Sequence, residues 1–446
     1  MKTYAVSARQ LSDWKLNSYL NHNQTPSFVK IEATLPSTVS INNLKKVYGY
    51  LIERNETLRT FFPEINGEVK MAIAEPNSHI CGLEICADEA QANESIKTIL
   101  YELKNLSQPP LTRAIVQHQK SKKLFSLYIH HILCDAWSER IIKRELERVY
   151  LANKKGKNPL FLNNKPISIK EHIASNPRLL QQPDQKRIVK LKERISSNEL
   201  IINYDVIYKK SALIHNKPKL QNKDWRSYSQ RILYNNTNGE FIKFTIESDL
   251  FKGVLELREK SNLSPNTILM SVLALVGVKF TGRNHILIPT LFHNRLNQDS
   301  QNVIGNLIGN VLVYYKVDLE LVFKEYLEYS SVLYLNSLRK MVFNTETIRE
   351  IYVPKRCFSF FNFLGGDLND NGKLTNEIKA NNISKAEIPC PLAIKVTEFQ
   401  NTFLIEVFYN LLFYDEQTIR SIIITYRKIL RNGLYNMGIK IKKLVT

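Results

Sequence analysis

The stretch Leu127-Tyr128-Ile129-His130-His131-Ile132-Leu133-Cys134-Asp135-Ala136-Trp137-Ser138 constrains this chain more than any other. Upstream of it, residues 124–129 form an apolar run with β-branched and aromatic members, which predicts a buried strand. Downstream, residues 138–152 place Ile141, Ile142, Leu146, Val149 and Tyr150 on one side of a helical period and charges on the other, which predicts an amphipathic helix. The two histidines therefore stand where a strand gives way to a helix. Neighbouring side chains of a strand point to opposite faces, so only one of the two imidazoles looks into a given cavity. The pattern predicts one working ring and one supporting ring, and it argues against the adjacent pair chelating one metal.

Composition narrows the setting. A chain of 446 residues accommodates two to four domains at about 100–200 residues each, and 43% hydrophobic content supplies full-sized cores. Lys and Arg number 62 against 42 Asp and Glu, a formal net charge of +20. Nucleic acid, an anionic membrane surface or an acidic protein partner would each suit that charge. The basic residues are nonetheless dispersed in a chain rich in Lys, Asn and Ile, with no concentrated stripe and no nucleic-acid-binding motif, so no nucleic-acid partner is expected. Residues 1–20 hold no uninterrupted apolar core of the secretory kind. The strongest apolar run, 268–278, is shorter than the roughly 20 residues that span a bilayer. The five cysteines, Cys81, Cys86, Cys134, Cys357 and Cys390, fit no zinc spacing. A reduced, cytoplasmic, metal-free monomer without a membrane partner is expected. Cys134 reads as a small packing residue, and a Cys81–Cys86 disulfide is the weaker reading of that pair.

Further along the chain several short stretches recur in an order that matters together. Ser7-Ala8-Arg9-Gln10-Leu11-Ser12-Asp13-Trp14 comes first, and then a strand is expected over 28–35. Ser40 is placed to cap a helix whose inward face is Ile41, Leu44, Val47, Tyr48, Leu51 and Ile52. Arg54-Asn55-Glu56-Thr57-Leu58-Arg59-Thr60-Phe61-Phe62 follows directly, and Asn66-Gly67 predicts a tight turn. Pro110-Leu111-Thr112-Arg113-Ala114 precedes the histidine strand. Residues 174–239 turn polar and basic and read as a crossover between two lobes. Strand character resumes over 241–246, and Ser264-Pro265 predicts the start of a helix buried nearly all round over 268–278. A strand over 285–290 leads into Leu291-Phe292-His293-Asn294-Arg295, followed by Val303-Ile304-Gly305-Asn306-Leu307-Ile308-Gly309-Asn310 and, near the end, Phe408-Tyr409-Asn410-Leu411-Leu412-Phe413-Tyr414-Asp415.

These stretches resemble the ordered motifs of the condensation domains of non-ribosomal peptide synthetases. His130-His131-Ile132-Leu133-Cys134-Asp135-Ala136 is similar to their HHxxxDG signature, shared with the wider superfamily of acyltransferases that have the chloramphenicol acetyltransferase fold. The resemblance runs from Ser7 to about residue 430, with Asn55, Ala136 and the glycine before Arg295 departing from the pattern. It implies a mixed α/β fold of two chloramphenicol acetyltransferase-like lobes, residues 1–176 and 177–446, arranged in a V with a tunnel between them. No adenylation, carrier or thioesterase segment is visible on either side, so a free-standing condensation enzyme is expected.

The resemblance also implies a reaction and roles. An acceptor amine attacks an acyl or peptidyl thioester held on the phosphopantetheine arm of a partner carrier protein, and no cofactor is bound by the chain itself. The acceptor is a carrier-bound aminoacyl group or a free small amine. His131 carries the catalytic position, as a general base or as a group that orients the nucleophile. His130 supports it with its ring bonded to backbone. Asp135 either forms a direct dyad with histidine or pairs with a distant arginine, Arg295 first and Arg283 second, to hold the loop. Arg59 has a structural role near that loop or lies, like Arg54, at a solvated helix end. Trp137 packs at the helix start, while Ser138 and Asn310 are candidates for lining the substrate passage. Ala136 replaces a glycine that elsewhere permits close approach of backbone and substrate arm. Ester formation by an O-acyltransferase and a non-catalytic binding role remain alternatives to amide formation.

Overall fold

The structure, a computed structural model, describes residues 2–18, 26–76, 82–180, 185–196, 201–202, 238–295, 297–340, 342–343, 360–364, 383–387, 391–399, 401–411 and 413–446. Cys81, Cys357 and Cys390, and most of the expected 174–239 crossover, lie outside the described residues. By internal contacts the chain forms two units. The first comprises Met1–Gln182, His293–Gly309 and Asn344–Glu346, and the second Pro183–Phe292, Asn310–Phe343 and Thr347–Thr446. The contact-based units differ from a single division at residue 176, since His293–Gly309 and Asn344–Glu346 group with the first unit. Within that unit Arg295 pairs with Asp135.

The first unit begins with α1 (Ala8–Asn17). Ser7 and Gln10 form a reciprocal capping box at its start, each side chain bonding the other's backbone N–H. Trp14 donates its indole N–H to the Phe62 carbonyl at 3.3 Å. A four-stranded sheet follows, built from β1 (Phe28–Pro36), β2 (Leu83–Cys86), β3 (Thr112–Gln119) and β4 (Lys122–His130) in the order β1-β4-β3-β2. The central strand β4 runs antiparallel to both neighbours, with His130 opposite Phe28 and Ile129 opposite Thr112. Between β1 and β2 lies α2 (Ile41–Arg54), capped by Ser40, with Leu44, Val47, Tyr48, Leu51 and Ile52 buried. It packs against α3 (Ala136–Lys154), the helix that leaves the histidine stretch. Asn66 and Gly67 both have positive φ, 53° and 78°, in the tight turn of a small hairpin, the geometry an Asn-Gly pair tolerates at low cost.

Arg54 and Arg59 are not solvated. Arg54 pairs with Glu145 of α3 at 3.2 Å, both side chains 2% exposed, and donates to the Pro159 and Leu162 carbonyls. Arg59 donates to the Ile52 and Ala74 carbonyls, fixing the end of α2. Its hydrogen bonds are to backbone around α2, with none to the histidine loop among the described residues.

The second unit is organised on one large mixed sheet containing the strands Asn238–Thr245, His285–Phe292, Gly309–Lys316, Leu392–Phe399 and Thr402–Asn410. Its core helix is Pro265–Thr281, capped by Ser264, with every residue from Ile268 to Val278 buried. No single described helix is long and apolar enough to cross a membrane.

Candidate functional site

Strand β4 ends at His130, and α3 begins at Ala136. Asp135 between them is the N-cap, accepting the Ser138 N–H on Oδ1 at 2.7 Å. The helix start is thus fixed by the same carboxylate that anchors the site. Ala136 is the first helical residue, a position that asks nothing of glycine's extra conformational freedom.

His130 is buried and points into protein. Its Nδ1 accepts the Ile132 N–H at 3.1 Å, which leaves Nε2 to donate to Asn17 Oδ1 at 3.2 Å. Burial, with the neighbouring His131 second, pushes its pKa down to about 3, so the ring is neutral at ordinary pH. His131 is half-buried, and the Asn306 amide nitrogen lies 3.2 Å from its Nδ1 and 3.0 Å from its carbonyl oxygen.

Asp135 has both oxygens on Arg295 Nη2, each at 2.9 Å, and accepts the Leu307 N–H at 3.1 Å. The two side chains are 1% and 0% exposed. Arg295 also donates to the carbonyls of Ser300, Val303 and Gly305 and to Ser138 Oγ. One guanidinium therefore shapes the 300–305 backbone and ties it to the mouth of α3 (a fork of fixed planar geometry suits that task). Ser138, expected as a substrate contact, is instead fully buried. Its hydroxyl donates to the Gly305 carbonyl at 2.8 Å and accepts the Gly305 N–H at 2.9 Å. Gly305 leaves no room for a side chain, since a Cβ there would lie 2.8 Å from Ile169 Cδ1.

Trp137 donates its indole N–H to the Gln301 carbonyl at 2.9 Å and stacks on His293, ring centroids 5.3 Å apart. Burial, then the Arg295 charge, lowers the His293 pKa. Arg283, the second candidate for pairing Asp135, is exposed. Asn310 is buried on the Gly309–Lys316 strand, in the second unit. Burial pushes the Cys134 thiol well up, so it is an inert packing group. Among the described residues no three His, Cys, Asp or Glu side chains converge as metal ligands.

Sequence reasoning missed Asn306 and Asp13. Asn306 is 0% exposed, and its amide nitrogen also donates to Asp13 Oδ2 at 2.9 Å. The available signal was a lone amide between glycines in an otherwise apolar run over 303–309.

This arrangement presents one imidazole whose loop is held on three sides: by the Asp135–Arg295 pair, the 300–307 segment and α1. Such rigidity is what general acid–base or hydrogen-bonding catalysis requires of a positioned ring.

Comparison with known proteins agrees with the fold. The profile of the condensation-domain family matches residues 1–189 and 218–446. Surfactin synthase subunit 2 of Bacillus subtilis (strain 168) is 25% identical over 361 residues, 79% of this chain but 9% of that protein. Tyrocidine synthase 2 of Brevibacillus parabrevis is 22% identical over 309 residues, 69% of this chain and 8% of that protein. The chain thus spans less than a tenth of the length of these curated relatives. Among solved structures, the X-domain from teicoplanin biosynthesis superposes with a TM-score of 0.72 at 16% identity, covering 99% of this chain and 97% of that one. The condensation domain of the monacolin K polyketide synthase gives a TM-score of 0.69 at 14% identity, covering 99% of each chain. Ordered motifs, fold and profile agree, and the chain belongs to the condensation-domain family, whose members generally catalyse acyl transfer, some being non-catalytic.

Proposed function

We propose that this protein forms an amide bond between an acyl or peptidyl thioester on a carrier protein's phosphopantetheine arm and an amine, carrier-bound or free. The amine nitrogen attacks the thioester carbonyl, a C–N bond forms and the C–S bond breaks. The proton lost by nitrogen ends on the departing sulfur, which leaves as the free thiol of the arm. His131 is the group at the reacting atoms. Holding two reactants beside one fixed ring supplies most of the advantage, and a positioned imidazole adds about 10²–10⁴-fold.

The observation that carries this reading is the contrast between the two histidines. His130 is sealed and hydrogen-bonded on both nitrogens, whereas His131 is partly exposed and, among the described residues, its ring is hydrogen-bonded through Nδ1 alone. The test is an intact-mass assay of acyl-loaded carrier protein against a panel of amines and alcohols. Amide product supports the proposal. Ester product with no amide assigns O-acyl transfer instead, and no product from any donor assigns a binding role.

A further inference from the structure

The amide of Asn306 faces His131 in one orientation only. Its nitrogen lies 2.9 Å from the Asp13 carboxylate and 3.0 Å from the His131 carbonyl, both of which only accept hydrogen bonds. Its oxygen accepts the Ile308 N–H at 3.3 Å. Turning the amide over would set oxygen against two oxygens and nitrogen against an N–H, and the group is 0% exposed, so the loss would be large. The nitrogen that must face Asp13 is also the one 3.2 Å from His131 Nδ1. An N–H on Nδ1 would point into that NH2 group. The two hydrogens of that NH2 serve three acceptors, one of them shared between the His131 carbonyl and Nδ1, so Nδ1 accepts and the proton of the neutral ring sits on Nε2.

Asp13 is held for this task. It sits on α1, whose start is fixed by the Ser7–Gln10 capping box, and its Oδ2 also pairs with Arg9 Nε at 3.0 Å. On the other side, Arg295 holds the Gly305 carbonyl and Asp135 holds the Leu307 N–H, so the residues flanking Asn306 are both pinned.

We infer that Asp13 and Asn306 are positioning residues that hold His131 as the Nε2–H tautomer. His131 then meets its substrates as a hydrogen-bond donor to the acyl oxygen or departing sulfur, not as a base with a bare Nε2. This rests on the assignment of His131 as the reacting histidine and goes on to state which proton it carries.

The test is nitrogen NMR of the full chain carrying labelled histidine, in mildly alkaline buffer, with His131 assigned by its disappearance in His131→Gln. The expected pattern is an unprotonated Nδ1 and a protonated Nε2. The exchange Asn306→Leu removes the donor that faces Nδ1 and sets no side-chain oxygen against the His131 carbonyl. It should let the protonated-Nδ1 form appear in the ring pattern and lower turnover by about ten- to a hundredfold, a fraction of what a wrong tautomer costs a histidine enzyme. A protonated Nδ1 in the wild-type spectrum overturns the inference, as does an exchange variant whose ring pattern is unchanged. Should the exchange variant not fold, the wild-type spectrum still decides. Unimpaired acyl transfer by His131→Ala would remove the functional assignment while leaving the tautomer result standing, so the two failures are told apart.

Discussion

Adjacent in the chain, His130 and His131 receive different environments because β4 ends between them. His130 pairs across the sheet with Phe28 and turns inward, where burial keeps it neutral. Its folded pKa is lowered to about 3 from the ordinary 6.5, so the unfolded chain takes up a proton that the folded chain refuses. Stability from this group is complete above pH 6.5 and is lost as pH falls towards 3, at up to about 1.4 kcal/mol per unit. His130→Gln should flatten that slope in urea melts followed across the window; an unchanged slope would show that His130 does not set it. Asp135 belongs to the same scale. Removing it strands a 0%-exposed Arg295, at a cost of about 3–5 kcal/mol. Asp135→Ala should lower the melting temperature steeply as well as the rate, and an unchanged melt with slower turnover would contradict that.

At the scale of elements, the strand β4 and the helix α3 were legible because their signals are local. An apolar run and a helical apolar stripe reflect contacts within a few residues, and the structure has Lys122–His130 and Ala136–Lys154 where these were read. The caps at Ser40 and Ser264 and the Asn66-Gly67 turn were legible for the same reason. The return of His293–Gly309 to the first unit was not. Arg295 and Asp135 lie 160 residues apart, and nothing local marks two side chains as partners; the family resemblance alone named them. Ser138 shows the limit from the other side. A hydroxyl near a catalytic motif looks like a substrate contact until its burial beneath Gly305 is seen. That close approach can be tested, because a methyl on Gly305 would meet Ile169. Gly305→Ala should destabilise by about 1–3 kcal/mol, read as a shift in urea midpoint. Ile169→Ala in the same chain should relieve part of it, whereas additive losses would place the strain elsewhere.

For the whole molecule, under the proposed function the surplus of 20 positive charges would favour the approach of an acidic carrier protein. Affinity for such a partner should fall steeply between low and physiological salt. A salt-independent dissociation constant would remove charge from the account. The two units share residues along the chain, since the first takes His293–Gly309 from the middle of the second. Cutting the chain at residue 176 should therefore leave an N-terminal fragment with Asp135 unpaired. The claim on which the functional account depends is that His131 stands at the reacting atoms. Its most direct test is single-turnover transfer from an acyl-loaded carrier protein to a saturating amine by wild type and His131→Ala, with melting curves recorded on both. The account predicts a normally melting variant slower by about 10²-fold or more. A normally melting variant that transfers at the wild-type rate would contradict it.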